Sequence, residues 1–193
     1  LCTDARRLID EVLARPRDPA KLRADLTEMR ELIEQEKPPR DIYDVKLIPG
    51  GLIDIEFISQ MLSLEARAAG WLPGPDDDGE SADDEATMIS PASSAMEPEY
   101  NQCTGTDATL ARLGPDILGV EETETLRRAL ALWSGHAQIV RLCAEGDFAP
   151  REAPAGLIEL VLRAGEAPDL KSLEADFKST SKKVRSLFRS LTG

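Results

Sequence analysis

Long apolar runs are missing and aromatic side chains are scarce in this chain of 193 residues. No apolar run approaches the roughly 18 residues of a membrane-spanning helix, so we expect no membrane segment. Aromatic residues make up 4% of the sequence, which suits an Ala- and Leu-rich helical protein better than a β-sandwich. The first residues mix charge with apolar side chains, so we predict no signal peptide and a cytoplasmic location.

Cysteine and histidine are also few. Cys2, Cys103 and Cys143 are unevenly spaced and include no metal-like pair, so we expect free thiols in a reducing compartment. His136 is the only histidine, and we expect it to be structural or exposed. A P-loop, a nucleophile motif and a dinucleotide fingerprint are absent as well. We therefore assign neither a catalytic residue nor a metal ligand in this sequence.

Basic residues are missing from one long stretch of the chain. Between Arg67 and Arg112 there is no Lys or Arg, and ten of the thirteen excess negative charges of the sequence fall there. The rest of the chain is close to neutral and shows no basic stripe, so we expect no nucleic-acid binding. Residues 71–106 are rich in Pro, Gly, Ser and Asp, and we predict an irregular acidic insertion.

Outside this insertion, apolar residues recur at helical spacing and predict an all-α bundle of about five to seven helices. Helices are expected over 4–14, 19–36, 52–69, 107–114, 121–145 and 156–164, followed by a final helix. Asp107 and Asp169 are the expected N-caps of the fourth and last helices. Gly70 and Gly114 are expected to end the third and fourth helices. The stripe of the long helix 121–145 is expected to end with Cys143 or Ala144.

The helix 19–36 has one apolar and one charged face. We expect its inner stripe to consist of Leu22, Leu26, Met29, Leu32 and Ile33. We expect its solvated flank to consist of Arg23, Glu28, Arg30, Glu31 and Glu34. The last helix carries a basic side that faces either an acidic partner or water, formed by Lys178, Lys182, Lys183, Arg185 and Arg189.

The centre of the sequence is a motif over residues 44–60. Alternation before Pro49 predicts an extended arm, Gly50 and Gly51 a turn, and the long apolar pattern after them a buried helix. A hairpin that turns at the glycines is the alternative. On a strand Asp54 and Glu56 would share one side, whereas on a helix they diverge by about 200° and cannot easily share an ion.

Two interpretations of the glycine turn remain open. Free N–H groups near Gly50 and Gly51, with Lys46 close by, are suited to receive a phosphate. Alternatively, the turn is simply a helix start with Asp54 in its first turn, where the helix dipole favours an acid. The residue pattern alone favours the second interpretation, since a lone Gly-Gly pair is a weak signal.

The motif resembles a known family signature. It reads Asp44-Val45-Lys46, then residues 49–57 (PGGLIDIEF), then Gln60. This is similar to the glycine-aspartate signature of the glutamine synthetase adenylyltransferase family, shared more loosely with the PII uridylyltransferases. Residues 17–30 resemble the helix that precedes the signature. Residues 169–174 and 184–188 resemble the extreme C-terminus of the two-headed adenylyltransferase.

The resemblance implies a division of labour between this chain and the rest of a longer enzyme. Residues 1–40 would lead in from an upstream nucleotidyltransferase domain, and residues 41–193 would form the helical bundle. The family's glycine-serine turn and aspartate pair are missing, so ATP and Mg²⁺ would bind mainly upstream and this chain alone would be inactive. Glutamine synthetase and the PII protein are the implied partners.

The resemblance also ranks the candidate residues. Lys46, Gly50 and Gly51 are the candidates for nucleotide contact, while Asp54 and Glu56 are expected to brace the junction between domains. Two alternatives remain, namely the helical domain of a PII uridylyltransferase and a purely structural module.

Overall fold

The computed structural model describes residues 8, 11–13, 15–69, 105–144, 146 and 148–193. These ranges hold six α-helices with described bounds, part of a further helix before them, and no strand, which confirms the predicted all-α class. The helices are α1 (Pro19–Glu36), α2 (Leu52–Ala68), α3 (Thr106–Ile117), α4 (Val120–Cys143), α5 (Ala155–Ala164) and α6 (Leu170–Thr192).

The central helix α2 holds the bundle together. It contacts α1, α3, α4 and α6, whereas α5 packs mainly on α4. The helical interpretation of the motif predicted an apolar stripe of Ile55, Ile58, Met61, Leu62 and Leu64. The first four are buried and Leu64 is half-buried. The hairpin alternative is wrong, because residues 52–68 are helical throughout.

Two helix starts show how local sequence sets the elements. Asp18 accepts a hydrogen bond from the N–H of Ala20 at 3.0 Å, and Pro19 occupies the first turn of α1, where its missing N–H costs nothing. Asp169 caps α6 as predicted and accepts from the N–H of Ser172 at 2.7 Å. This bond lowers the pKa of Asp169 below its ordinary value.

The predicted fourth helix differs at both ends. Its N-cap is Gly105, and Asp107 lies in the first turn instead, where it pairs with Arg127 of α4. Gly114 does not end the helix, since the N–H of Leu118 donates to its carbonyl at 2.7 Å. The break comes at Gly119, whose φ of +102° few side-chain-bearing residues adopt. Gly114 is needed for another reason, because a Cβ there would overlap Thr123 of α4.

Helix α1 is rotated about its axis, so that the face it buries differs from the predicted apolar stripe. Met29 and Leu32 were expected inside but are 51% and 47% exposed, whereas Arg30 was expected in solvent but is 1% exposed. The rotation follows from charge, because Arg30 has buried acceptors on α2 and in the glycine turn. Apolar side chains of α1 are therefore left on the outer face.

An aromatic cluster lies between α4, α6 and the segment before the glycine turn. His136 is 3% exposed, and its ring centroid lies 5.9 Å from Tyr43, 5.5 Å from Phe148 and 5.2 Å from Phe177. Tyr43 Oη donates to Glu174 Oε1 at 2.8 Å. His136 is thus structural, and burial lowers its pKa to about 4, partly offset by the Tyr43 backbone and Asp41.

Several predictions lie wholly or partly outside the described residues. Of the first predicted helix, residues 8 and 11–13 are helical and the rest is not described. Gly70, Cys2, Cys103 and residues 71–104 of the acidic insertion are not described either. Cys143 carries a free thiol and is exposed, so Ala144 rather than Cys143 ends the inner stripe of α4. Within the described ranges, no helix combines the length and apolarity that crossing a membrane requires.

Candidate functional site: a buried charge cluster at the glycine turn

The segment before the glycines is a chain of turns, so the predicted extended arm is wrong. The N–H groups of Leu47 and Ile48 both donate to the carbonyl of Asp44 at 3.0 Å. Arg30 explains the folding back, since its Nη2 donates to the carbonyls of Leu47 and Ile48 at 3.1 Å each. An extended strand would not direct two successive carbonyls at one guanidinium.

Asp54 is the centre of the site and has no solvent exposure. One carboxylate oxygen, Oδ1, accepts a short hydrogen bond from Arg30 Nε. The other, Oδ2, accepts from the N–H of Gly50 at 2.7 Å and from Arg185 Nη1 at 3.2 Å. A buried carboxylate is tolerated only when paired and hydrogen-bonded, and both oxygens of Asp54 meet that condition.

Four charged side chains form the cluster that we call the charge latch: Arg30, Glu34, Asp54 and Arg185. Glu34 Oε1 lies 3.2 Å from Arg30 Nη1 and 2.7 Å from Arg185 Nη2. Two guanidinium groups therefore face two carboxylates, and the cluster is formally neutral. The latch connects α1, α2 and α6, which are distant in sequence. Arg185 also lies over the Phe188 ring, 5.3 Å from its centroid, which fixes its position further.

Gly50 and Gly51 are required because other backbone segments approach them closely. Gly50 has a φ of +80°, and a Cβ there would overlap the backbone of Ser181 on α6. A Cβ on Gly51 would overlap the carbonyl of Val45. Trp133 Nε1 donates to the carbonyl of Gly50 at 3.2 Å, which ties the turn to α4 as well. Ser181 therefore marks the place where the glycine turn packs on α6.

Four successive amides at the start of α2, those of residues 50–53, have acceptors within the chain. Besides the Gly50 N–H, those of Gly51, Leu52 and Ile53 donate to the carbonyls of Ile48, Val45 and Lys46 at 2.8, 2.9 and 3.4 Å. A phosphate at this helix end would have to replace these bonds. The geometry therefore favours the helix-start interpretation of the turn.

The remaining candidates, Lys46 and Glu56, lie apart from the latch and from each other. Lys46 is exposed and lines an open pocket of about 430 Å³ that also contains Arg141. Glu56 is half-buried and lines a different pocket of about 720 Å³ with Arg127 and Arg128. As the helical interpretation predicted, Asp54 and Glu56 do not share a site.

Sequence reasoning missed three members of the latch. Arg30 and Glu34 were assigned to a solvated flank, and Arg185 to a basic outer side. One signal was available, because an aspartate on an otherwise apolar helix needs a buried cationic partner. Helical periodicity cannot identify which arginine supplies it.

No magnesium site can be assigned to the described part of the chain. Among those residues, no group of three or more His, Cys, Asp or Glu side chains could hold a metal ion. The carboxylates of the latch are neutralised by arginine instead. The Mg²⁺ of a nucleotidyl transfer does not fit here.

Comparison with curated proteins places the chain. It is 44% identical over 98% of its length to a bifunctional glutamine synthetase adenylyltransferase/adenylyl-removing enzyme of Rhizobium meliloti. It is 41% identical over 97% of its length to the enzyme of that name from Agrobacterium fabrum, and 36% identical over 97% to that of Mesorhizobium japonicum. The chain belongs to this family.

The match covers only part of each relative. The chain spans 16% of the length of each of these three enzymes. No family model matches the chain, and no solved structure matches it. The family is therefore assigned from sequence relatives, which are about six times longer than the chain.

Proposed function

We propose that this chain is the helical domain of an enzyme that transfers AMP from ATP to a tyrosine of glutamine synthetase and removes it again. The observation that carries the proposal is the 44% identity over 98% of the chain to an enzyme of that name. Such an enzyme would regulate nitrogen assimilation in response to the PII protein. ATP and Mg²⁺ would bind on an upstream catalytic head, for which residues 1–40 form the helical lead-in.

In this proposal the domain supports the head rather than performing chemistry. The charge latch joins α1 to α2 and α6 through buried ion pairs, so α1 is a firm attachment for whatever packs on its outer face. That face exposes Met29 and Leu32, two large apolar side chains. Relatives about six times longer contain further chain that could cover these residues. The catalytic head is the occupant we propose.

A comparison of the isolated chain with the full-length enzyme tests the assignment. We expect AMP transfer from labelled ATP to glutamine synthetase with the full-length enzyme and none with the isolated chain. Calorimetric titration of the chain with Mg-ATP should show no binding. Transfer by the chain alone would overturn the proposal, because it would place the catalytic groups within these residues.

A second test concerns the outer face of α1. In the full-length enzyme, Met29→Glu combined with Leu32→Glu should lower the transfer rate at least about fivefold, since an apolar anchor at the centre of an interface is worth about 2 kcal/mol or more. Leu142→Glu with Leu160→Glu is the matched control, because both leucines are also exposed, at 82% and 40%. Equal rates for the two double variants would contradict docking on α1.

Docking of partners is tested separately. Calorimetric titration of the isolated chain with glutamine synthetase, and then with PII in both modification states, should identify a partner by saturable binding. If neither protein binds a folded chain, the domain functions as a scaffold only, and the partner part of the proposal is wrong.

A further inference from the structure

An open groove of about 600 Å³ lies between the segment 39–49 and α6. One wall is apolar and includes Pro39, Ile42 and Pro49. The other wall is the face of α6 that carries Lys182, Arg185, Ser186 and Arg189. We call this feature the basic groove.

The basic groove carries several positive charges, and two of them make no ion pair within the described residues. After Asp176 the sequence holds five Lys and Arg residues and no Asp or Glu. Lys182 and Arg189 are exposed, and neither makes an ion pair with any residue in the described ranges. Asp41 is the one carboxylate in the lining, and it already accepts from the N–H of Tyr43 at 2.8 Å.

The geometry indicates the size of the ligand. Lys182 and Arg189 are seven positions apart on one helix, which separates them by about 10 Å along its axis at 1.5 Å per residue. An extended peptide covers this distance in about three residues, so successive acidic side chains of such a peptide match the spacing of Lys182 and Arg189. The apolar wall would contact the intervening side chains of such a peptide.

Arg185 gives the groove a fixed floor. Its side chain is 14% exposed and is held by Asp54 and Glu34, so it does not need to be ordered by the ligand. Its Nε is buried and has no hydrogen-bond partner in the described structure. A guanidinium that is already held in place between Lys182 and Arg189 reduces the entropy that a bound peptide would cost.

We propose that the basic groove binds an acidic segment of a partner protein, with carboxylates about 10 Å apart and an apolar side chain between them. Charge complementarity is the reason for choosing this occupant. A nucleic acid is a poorer fit because the lining of the groove contains apolar Pro39, Ile42 and Pro49 but no aromatic ring on which a base would stack. The proposal does not depend on the activity of the longer enzyme.

Fluorescence anisotropy on the full chain tests this. The probe is a short fluorescein-labelled peptide in which glutamate recurs at every third position between alanine and leucine. We expect saturable binding that weakens with added salt, and no binding of the same peptide with glutamine in place of glutamate. Lys182→Glu with Arg189→Glu should weaken binding by roughly tenfold or more.

Matched controls separate the groove from general charge effects. Arg128→Glu with Arg151→Glu changes the net charge equally, at exposed positions outside the groove, and should change the affinity less than about twofold. Equal losses in both double variants, or no binding by the unmodified chain, would overturn the proposal. So would displacement of the peptide by inorganic phosphate at constant ionic strength, or tighter binding of a single-stranded oligonucleotide. Circular dichroism confirms that each variant is folded.

Discussion

Asp54 is the single residue on which most contacts of the latch converge. Replacement by Asn keeps the size of the side chain but removes the charge that faces Arg30 and Arg185. We expect Asp54→Asn to lower the free energy of unfolding by about 3–5 kcal/mol, because a buried guanidinium is left without its counter-ion. Urea denaturation followed by circular dichroism measures this loss.

The matched control for Asp54 is Asp107→Asn on α3. Asp107 also pairs with an arginine, Arg127, at 2.8 Å, but its side chain is 57% exposed. Exposed ion pairs contribute little to stability, so this variant should unfold close to the unmodified chain. If the two variants lose the same stability, burial is not what makes the latch important.

His136 predicts a pH dependence of stability. Its pKa is about 4 in the folded chain but about 6.5 in the unfolded chain, so between these values the unfolded state binds more protons. Stability must therefore fall as the pH falls through this window. The contribution of His136 amounts to about 2 kcal/mol between pH 7 and pH 5.

The measurement compares urea midpoints of the unmodified chain and His136→Phe at both pH values. Since the sequence has no other histidine, the variant removes every imidazole, and carboxylates titrate alike in both proteins. We expect the variant to gain relative stability as the pH falls. A constant difference between the two proteins would show that the imidazole is not buried in its neutral form.

At the scale of the element, the start of α2 depends on Gly50 for two reasons that can be separated. Gly50→Ala meets both an unfavourable φ and the backbone of Ser181, and we expect a loss of more than about 3 kcal/mol. Gly146→Ala meets only a φ of +112° with open space around it, so about 1 kcal/mol is expected.

Gly156→Ala completes this series as the favourable case. Gly156 lies in the first turn of α5, where an added methyl group would meet nothing within 4 Å, and its φ is unstrained. The substitution should raise stability by up to about 1 kcal/mol, because alanine loses less conformational entropy in a helix. Thermal unfolding of the three variants should rank them Gly156→Ala, Gly146→Ala, Gly50→Ala, from most to least stable. Any other order would contradict the contacts described for Gly50.

Elements were easier to predict from the sequence than their orientations. Pro19, Asp169 and the glycine pair mark helix starts through backbone chemistry that acts within a few residues. The rotation of α1 was not predictable, because it follows from one contact between Arg30 and Asp54, 24 positions apart. The prediction of an extended arm was wrong for the same reason. Contacts with Arg30 hold residues 44–48 in turns, which the alternation of apolar and polar residues cannot reveal.

Only part of the candidate site was predictable from the sequence. The residue pattern identified Gly50, Gly51 and Asp54 as a helix start, and the structure places them together. It did not identify Arg185, whose charge resembled that of the solvated lysines beside it. The role of Lys46 and Glu56 at a nucleotide or at a domain junction stays a prediction.

At the scale of the whole molecule, α1 should be part of the cooperative unit rather than an appendage. Deleting residues 1–36 removes Arg30 and Glu34 and leaves the carbonyls of Leu47 and Ile48 without their donor. We expect the free energy of unfolding to fall by about 3–5 kcal/mol. The shortened chain should therefore unfold at a clearly lower urea concentration. Deleting residues 1–16 is the control, since it leaves α1 and its cap intact. Identical midpoints for the two deletions would show that the latch does not stabilise the bundle.

Arg185 belongs to both the charge latch and the wall of the basic groove. A carboxylate bound in the groove places negative charge beside Arg185, changes the free energy of its ion pair with Glu34, and thereby affects anything packed on α1. Thermodynamic reciprocity requires the converse: a domain seated on α1 must alter the affinity of the groove by the same factor. One guanidinium would then couple the binding free energies of two separate surfaces.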